Sequence, residues 1–181
     1  MNLETGRLIL KNPEKKDLDE FYEYMNDFSM AEMHIDTFWP ISKERLVVKL
    51  KHLINEHKKE DPKIYFFFIK LKSKNKIIGD VLLHSINNIS KEAIIAFDCH
   101  KKYRNNNYVT EAVEVLINFA LKDLGMKKII GDPFVDNLVS NKVFRKLRFE
   151  FIEKKIKWAT SIATNKKHDV NFYELIKDKS N

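Results

Sequence analysis

The stretch that most constrains the fold of this chain is His100–Leu124, H-K-K-Y-R-N-N-N-Y-V-T-E-A-V-E-V-L-I-N-F-A-L-K-D-L. It opens with basic residues, passes through three consecutive asparagines and becomes a helix from Thr110. Ala112, Val113, Leu116, Ile117, Ala120, Leu121 and Leu124 recur at helical spacing and form one apolar stripe, with Glu111, Glu114, Asn118 and Lys122 on the other face. Just before it, Ala93–Cys99 (A-I-I-A-F-D-C) reads as a mostly buried strand. The unit is strand, basic turn, helix N-terminus. Such an N-terminus presents unpaired N–H groups at the positive end of the helix dipole, which suits an anion. Asparagine takes left-handed backbone angles more readily than other residues with a side chain. The turn therefore predicts unusual dihedrals and amides able to cradle a phosphate.

The elements around it follow from local signals. Arg7–Leu10 reads as a strand. Asn12 and Pro13 start a helix, as N-cap and first residue, that runs to Asn26. Asp27–Ile41 reads as irregular, either a loop over the core or a substrate-lining loop. Ser42 caps a second helix reaching about His57. Ile64–Leu71, Ile77–Ile86 and Ala93–Cys99 are joined by short polar turns and form an antiparallel meander. Gly125 ends the central helix. A strand (Lys128–Asp132), a short helix (Asn137–Lys146), a long strand (Phe149–Trp158) and a last strand (Val170–Ile176) complete the order β-α-α-β-β-β-α-β-α-β-β. The fold class is α+β, with mixed α/β character. At 181 residues the chain reads as one domain with a real core.

Charge and composition exclude several classes. No run approaches the ~20 apolar residues of a spanning helix, and the N-terminus lacks an apolar signal core. The single cysteine, Cys99, leaves no internal disulfide and fits a cytoplasmic protein. The net charge of +7 would attract a polyanion, but acidic residues are interspersed and the aromatics sit in apolar strands, so nucleic acid is not the expected partner. No metal-ligand spacing is visible. His52 and His57 do not share a helical face.

Four segments, in register over most of the chain, carry a family resemblance. Y-R-N-N-N-Y-V-T-E-A resembles the pyrophosphate-binding turn of the GNAT acetyltransferases, in the version of the Rim-type branch that acetylates protein N-termini. N-L-V-S-N-K-V-F-R-K-L-R-F (Asn137–Phe149), I-I-G-D-V-L-L-H (Ile77–His84) and L-E-T-G-R-L-I-L (Leu3–Leu10) resemble three further segments of it. The resemblance implies a GNAT fold, acetyl-CoA as co-substrate and a primary amine as acceptor, whether a protein N-terminus, an amino sugar, a polyamine or another small amine.

It also implies roles by position. The pantetheine arm would lie along Phe97–Cys99, and the pyrophosphate on Arg104, Asn105, Asn106, Asn107, Tyr108, Val109 and Thr110. Asn137 holds the pantetheine or a water, or caps the short helix. The tyrosine that many relatives use as an acid is replaced by Phe144. Ser140 instead protonates the leaving thiolate, or serves only as a cap. The branch's usual strand glutamate is replaced by Ile94. Asp98, Glu92 or solvent then takes the amine's proton. His84 contacts the acceptor or is simply packed. Cys99 is read as packing, and Glu111 as serving the helix dipole. Positions small in the family are enlarged at Asn107, Val109 and Arg148. Val109 would crowd the phosphates, and Arg148 falls where backbone and cofactor lie close. Asp27–Ile41 and Ala159–His168 are the substrate loops. They lack an acidic cluster suited to a polycationic aminoglycoside, which favours a peptide or small amine. Long terminal strands leave room for a homodimer. The other readings are a GNAT-fold protein that binds a CoA ester or a partner without catalysis, and a basic RNA- or ribosome-associated protein.

Overall fold

A computed structural model describes residues 3–177. Its frame is one sheet of eight strands: β1 (Leu3–Glu4), β2 (Leu8–Lys11), β3 (Tyr65–Leu71), β4 (Lys76–Asn87), β5 (Glu92–Cys99), β6 (Lys128–Gly131), β7 (Glu150–Thr160) and β8 (Lys167–Ile176). Their order is β1-β2-β3-β4-β5-β6-β8-β7. Every neighbour pair is antiparallel except β5–β6. The helices are α1 (Leu18–Met25), α2 (Phe28–Ala31), α3 (Lys43–Glu56), α4 (Tyr108–Asn118) and α5 (Leu138–Lys146). The mixed α+β class and the expected order hold, with β1 and α2 added.

Residues that alternate along the central strands serve two cores. Phe67, Ile69, Val81, Leu83 and Ile95 pack with Ala112, Val113 and Leu116 of α4. Phe66 and Phe68, on the opposite face, pack with Phe21, Met25, Leu46, Leu50 and Leu53 of α1 and α3. Each fully buried leucine or phenylalanine contributes about 1.5–3 kcal/mol through lost apolar exposure.

Three local expectations are corrected. Asn12 does not cap α1. Glu14 and Asp17 form a reciprocal capping box around a 3-10 turn, Lys15–Asp17, and α1 starts only at Leu18. The Asp27–Ile41 segment is not wholly irregular, because the Asp27 side chain accepts from the Ser29 amide and starts α2. The central helix starts at Tyr108, two residues earlier than its stripe suggested, and finishes in a π turn, Phe119–Asp123. Ser42 caps α3 as expected, accepting from the Arg45 amide, and Gly125 takes φ +65°.

Candidate active site

Strands β5 and β6 are in register only from Glu92–Lys128 to Ile94–Ile130, and then part. The half of β5 beyond Ile94 keeps β4 on one side and loses β6 on the other. Two cavities open at this gap, of about 590 and 640 Å³. The first is bounded by the Asn-rich turn, the start of α4 and α5. The second lies among β4, β5, α3 and the segment after β6. Met33, His34, Phe97, Asp98, Asn137 and Ser140 line both, so they mark the place where the two meet.

The turn has the dihedrals its asparagines predict. Asn105 and Asn107 take φ +64° and +61°. Asn107 precedes α4 but does not cap it with its side chain. Its Oδ1 instead accepts from Lys146 Nζ at 2.9 Å, which leaves the first-turn amides of α4 without a side-chain acceptor among the described residues. Arg104 is anchored by Nε donating to the Cys99 carbonyl at 3.1 Å and by a bond to Ser29 Oγ. Arg104, Asn105, Asn107, Tyr108, Val109 and Thr110 all line the first cavity, and so do Lys142 and Lys146. Asn106 does not. Its side-chain amide donates back to the Tyr103 and Arg104 carbonyls, so its side chain shapes the turn. Val109 borders the cavity but also packs on the α4 core. Arg148 lies past the end of α5 at φ +63°, its amide bonded to the Arg145 carbonyl. That backbone conformation is one that glycine adopts readily, and Arg148 lines neither cavity. A helix N-terminus, free amides and three cationic side chains together fit a phosphate group.

At the junction, Asn137 is the cap of α5, its Oδ1 accepting from the Ser140 amide at 3.1 Å. The alternative role of cap therefore does not fall to Ser140. Among the described residues its hydroxyl makes no hydrogen bond, and it faces both cavities. Phe144 is buried against Phe97, Phe149 and Tyr173. Gly131 makes room for it, since a Cβ there would lie 2.2 Å from the ring. Burial pushes the Cys99 thiol up to about 12, so it stays a thiol, as the packing role requires.

Asp98 does not stand alone. His34 Nε2 lies 2.7 Å from its Oδ1. Burial opposes charge on both, but each outweighs it for the other: the Asp98 carboxyl is held below its usual range and the His34 ring above its own. Across the β4–β5 ladder Asp80 sits opposite Asp98. Burial first, and then the Asp98 charge, push Asp80 up to about 7, and Tyr24 donates to it at 2.6 Å. Gly79 allows this close approach, because a Cβ there would lie 2.1 Å from the Asp98 carbonyl oxygen. The result is a chain Tyr24–Asp80, Asp98–His34, buried at its Tyr24 end and half-buried at His34, where it reaches the junction.

Glu92 is removed from the candidate bases. It pairs with Lys128 at 2.6 Å at the closed end of the β5–β6 seam and lines neither cavity. His84 does reach the second cavity, opposite Ile94 on the β4–β5 ladder. Glu111 does more than face the helix dipole: Arg7 and Thr5 both bond to it. The sequence reading missed His34, Asp80, Asp132, Lys142 and Lys146. Lys142 and Lys146, four apart on α5, had a legible helical spacing. His34, alone in a segment without periodicity, had no signal. Among the described residues no group of three or more His, Cys, Asp or Glu is placed to hold a metal ion, and no helix is long and apolar enough to cross a membrane.

Comparison with known proteins gives consistent results. Residues 7–150 match the family described as acetyltransferase (GNAT) domain. The uncharacterized N-acetyltransferase p20 of Bacillus licheniformis is 26% identical over 149 residues, 82% of each chain. Among solved structures, RimL, a ribosomal L7/L12 alpha-N-protein acetyltransferase in complex with coenzyme A, superposes with a TM-score of 0.86 at 18% identity, over 98% of this chain and 99% of that one. The microcin C7 self-immunity acetyltransferase MccE, in complex with acetyl-CoA and AMP, gives 0.84 at 22% identity, over 96% and 94%.

Proposed function

The chain belongs to the GNAT acetyltransferase family, and from that premise we propose that it transfers an acetyl group from acetyl-CoA to a primary amine, a protein N-terminus or a small amine, within one ternary complex. The observation that carries this reading is the meeting of the two cavities at Asn137, Ser140 and Asp98. One cavity ends in a cationic turn suited to phosphates, and the other holds acidic and apolar groups suited to an amine. Acetyl-CoA supplies the activated acetyl group as a thioester. Arg104, Lys142, Lys146 and the first-turn amides of α4 hold its phosphates, and Phe97 and Cys99 flank its arm.

The acceptor must arrive at the carbonyl carbon as a neutral amine. Asp98, held low and paired, is a weak base but a strong orienter. We assign the proton to His34, with Asp98 fixing its Nε2 side and stabilising the imidazolium that forms. Ser140, whose hydroxyl makes no other bond among the described residues, donates to the departing thiolate directly or through a water. Cys99 takes no covalent part.

Calorimetric titration with acetyl-CoA and with CoA tests the premise, followed by amine-dependent thiol release. Micromolar binding with thiol release is expected. No binding up to millimolar ligand would overturn the reading.

A further inference from the structure

The second cavity has more acid than the reaction uses. By strand register Asp80, Leu82 and His84 of β4, Ile94, Ala96 and Asp98 of β5, and Ile130 of β6 share one face of the sheet, and Asp132, just past the end of β6, lines the same cavity. Each of the cavity's carboxylates but one has a side-chain partner among the described residues. Asp80 has Tyr24, and Asp98 has His34. The Lys49 ammonium of α3 also helps to lower both carboxyls. Asp36, on the open side, lies 4.0 Å from the other nitrogen of His34. Asp132 meets no cation and no side-chain donor among the described residues. Burial pushes its carboxyl up, opposed by the nearby His84 ring and by its own main chain, and burial holds the His84 ring towards the neutral form. Asp132 and His84 line the second cavity and not the first, so they stand away from the junction where acyl transfer would occur. On the ladder Leu82 and Ala96 lie between His84 and the Asp80–Asp98 pair, and Phe134 and Phe144 add apolar wall to the cavity.

A buried or half-buried carboxylate without a partner is costly, and a ligand that brings a cation relieves that cost. Resting on the acetyltransferase reading above, we propose that the acceptor is a small amine carrying a second, non-reacting cationic group, which Asp132 binds while the reacting amine lies at Ser140 and His34. The apolar walls between suit a methylene spacer. A cavity of about 640 Å³ is of the size that encloses a small molecule.

The test compares putrescine with butylamine, and cadaverine with pentylamine, as acceptors for the intact protein with saturating acetyl-CoA. The diamines should show kcat/KM roughly tenfold or more above the monoamines of equal length, mostly through KM. Asp132→Asn should bring that preference close to one, and Asp132→Glu should retain part of it. Equal use of mono- and diamines, a preference untouched by Asp132→Asn, or acetylation of peptide N-termini alone would overturn the proposal while leaving acetyl transfer in place. Should no amine be acetylated, the acetyltransferase reading fails separately. Calorimetric titration with putrescine then decides: binding lost in Asp132→Asn supports the subsite, and no binding overturns it.

Discussion

Arg7 and Glu111, 104 residues apart, are joined by a two-pronged ion pair, with Arg7 Nε donating to Glu111 Oε2 at 2.7 Å and a second guanidinium nitrogen bonding the same oxygen. Thr5 adds its hydroxyl to the other oxygen of Glu111. Arg7 also donates to the Asn106 carbonyl at 3.3 Å and lies 4.6 Å over the Tyr108 ring. One arginine thus ties the first strands to the turn and to the first residues of α4. Arg7→Ala should cost about 1 kcal/mol, since the pair is half exposed. It should also weaken acetyl-CoA binding by loosening the turn. Urea denaturation and calorimetry measure the two effects. Unchanged binding with lowered stability would show that the turn holds its shape without the clamp.

Ser140→Ala should lower kcat on the order of a hundredfold while leaving acetyl-CoA affinity nearly as it was. Steady-state kinetics set beside calorimetry separate these. Equal turnover in the variant would remove Ser140 from the chemistry.

The proton acceptor is testable through the pH profile. With His34 held above the usual histidine value, kcat/KM should rise with pH through a point above about 6.5. His34→Gln should abolish that limb and reduce the rate about a hundredfold. Asp98→Asn should move the limb to lower pH, because burial then acts on the ring without the carboxylate that opposes it. A wild-type limb persisting in His34→Gln would point to solvent as the acceptor.

Stability should depend on pH with two signs. Asp98 is depressed, so its contribution is present above about 3.9 and is lost as pH falls through its folded value. His34 is raised, so its contribution is full below about 6.5 and is lost as pH rises through its folded value. Asp80 acts in the opposite sense to Asp98. Raised to about 7, it stays protonated in the fold where the unfolded chain is ionised, so stability declines as pH climbs from about 4 to that value. Asp80→Asn should flatten that decline. Urea midpoints across this range measure it, and an unaltered slope would show that Asp80 ionises freely.

Much of this arrangement was legible in the sequence, and the boundary of legibility has a physical basis. The stripe of α4, the Asn triplet, the Ser42 cap and Gly125 are local patterns, and each produced the local structure its chemistry demands. The Asn137–Ser140 relationship was only half legible. Either could cap a helix, and the choice became clear only when the Asn137 side chain was seen to take the Ser140 amide. His34 and Asp98 are 64 residues apart and meet because an aperiodic segment folds back over β5. Asp132 looks like any strand-end carboxylate until the fold brings it into one cavity with Asp80 and His84. Pairings of this kind live in tertiary packing, and no spacing rule announces them.

The parting of β5 from β6 leaves a row of main-chain donors and acceptors facing inward from the middle of the sheet. An open edge on the outside of a protein invites other chains. Here α4 and α5 border the opening, and a slender molecule bearing amides of its own could lie along it and extend the ladder. Such a guest would act as a missing strand. The chain should then melt at a temperature that climbs with ligand concentration, by about 2.7 kcal/mol of added stability at a hundredfold excess over Kd. Differential scanning calorimetry with CoA would read this directly, and a melting point indifferent to CoA would mean that the gap is held open by the protein alone.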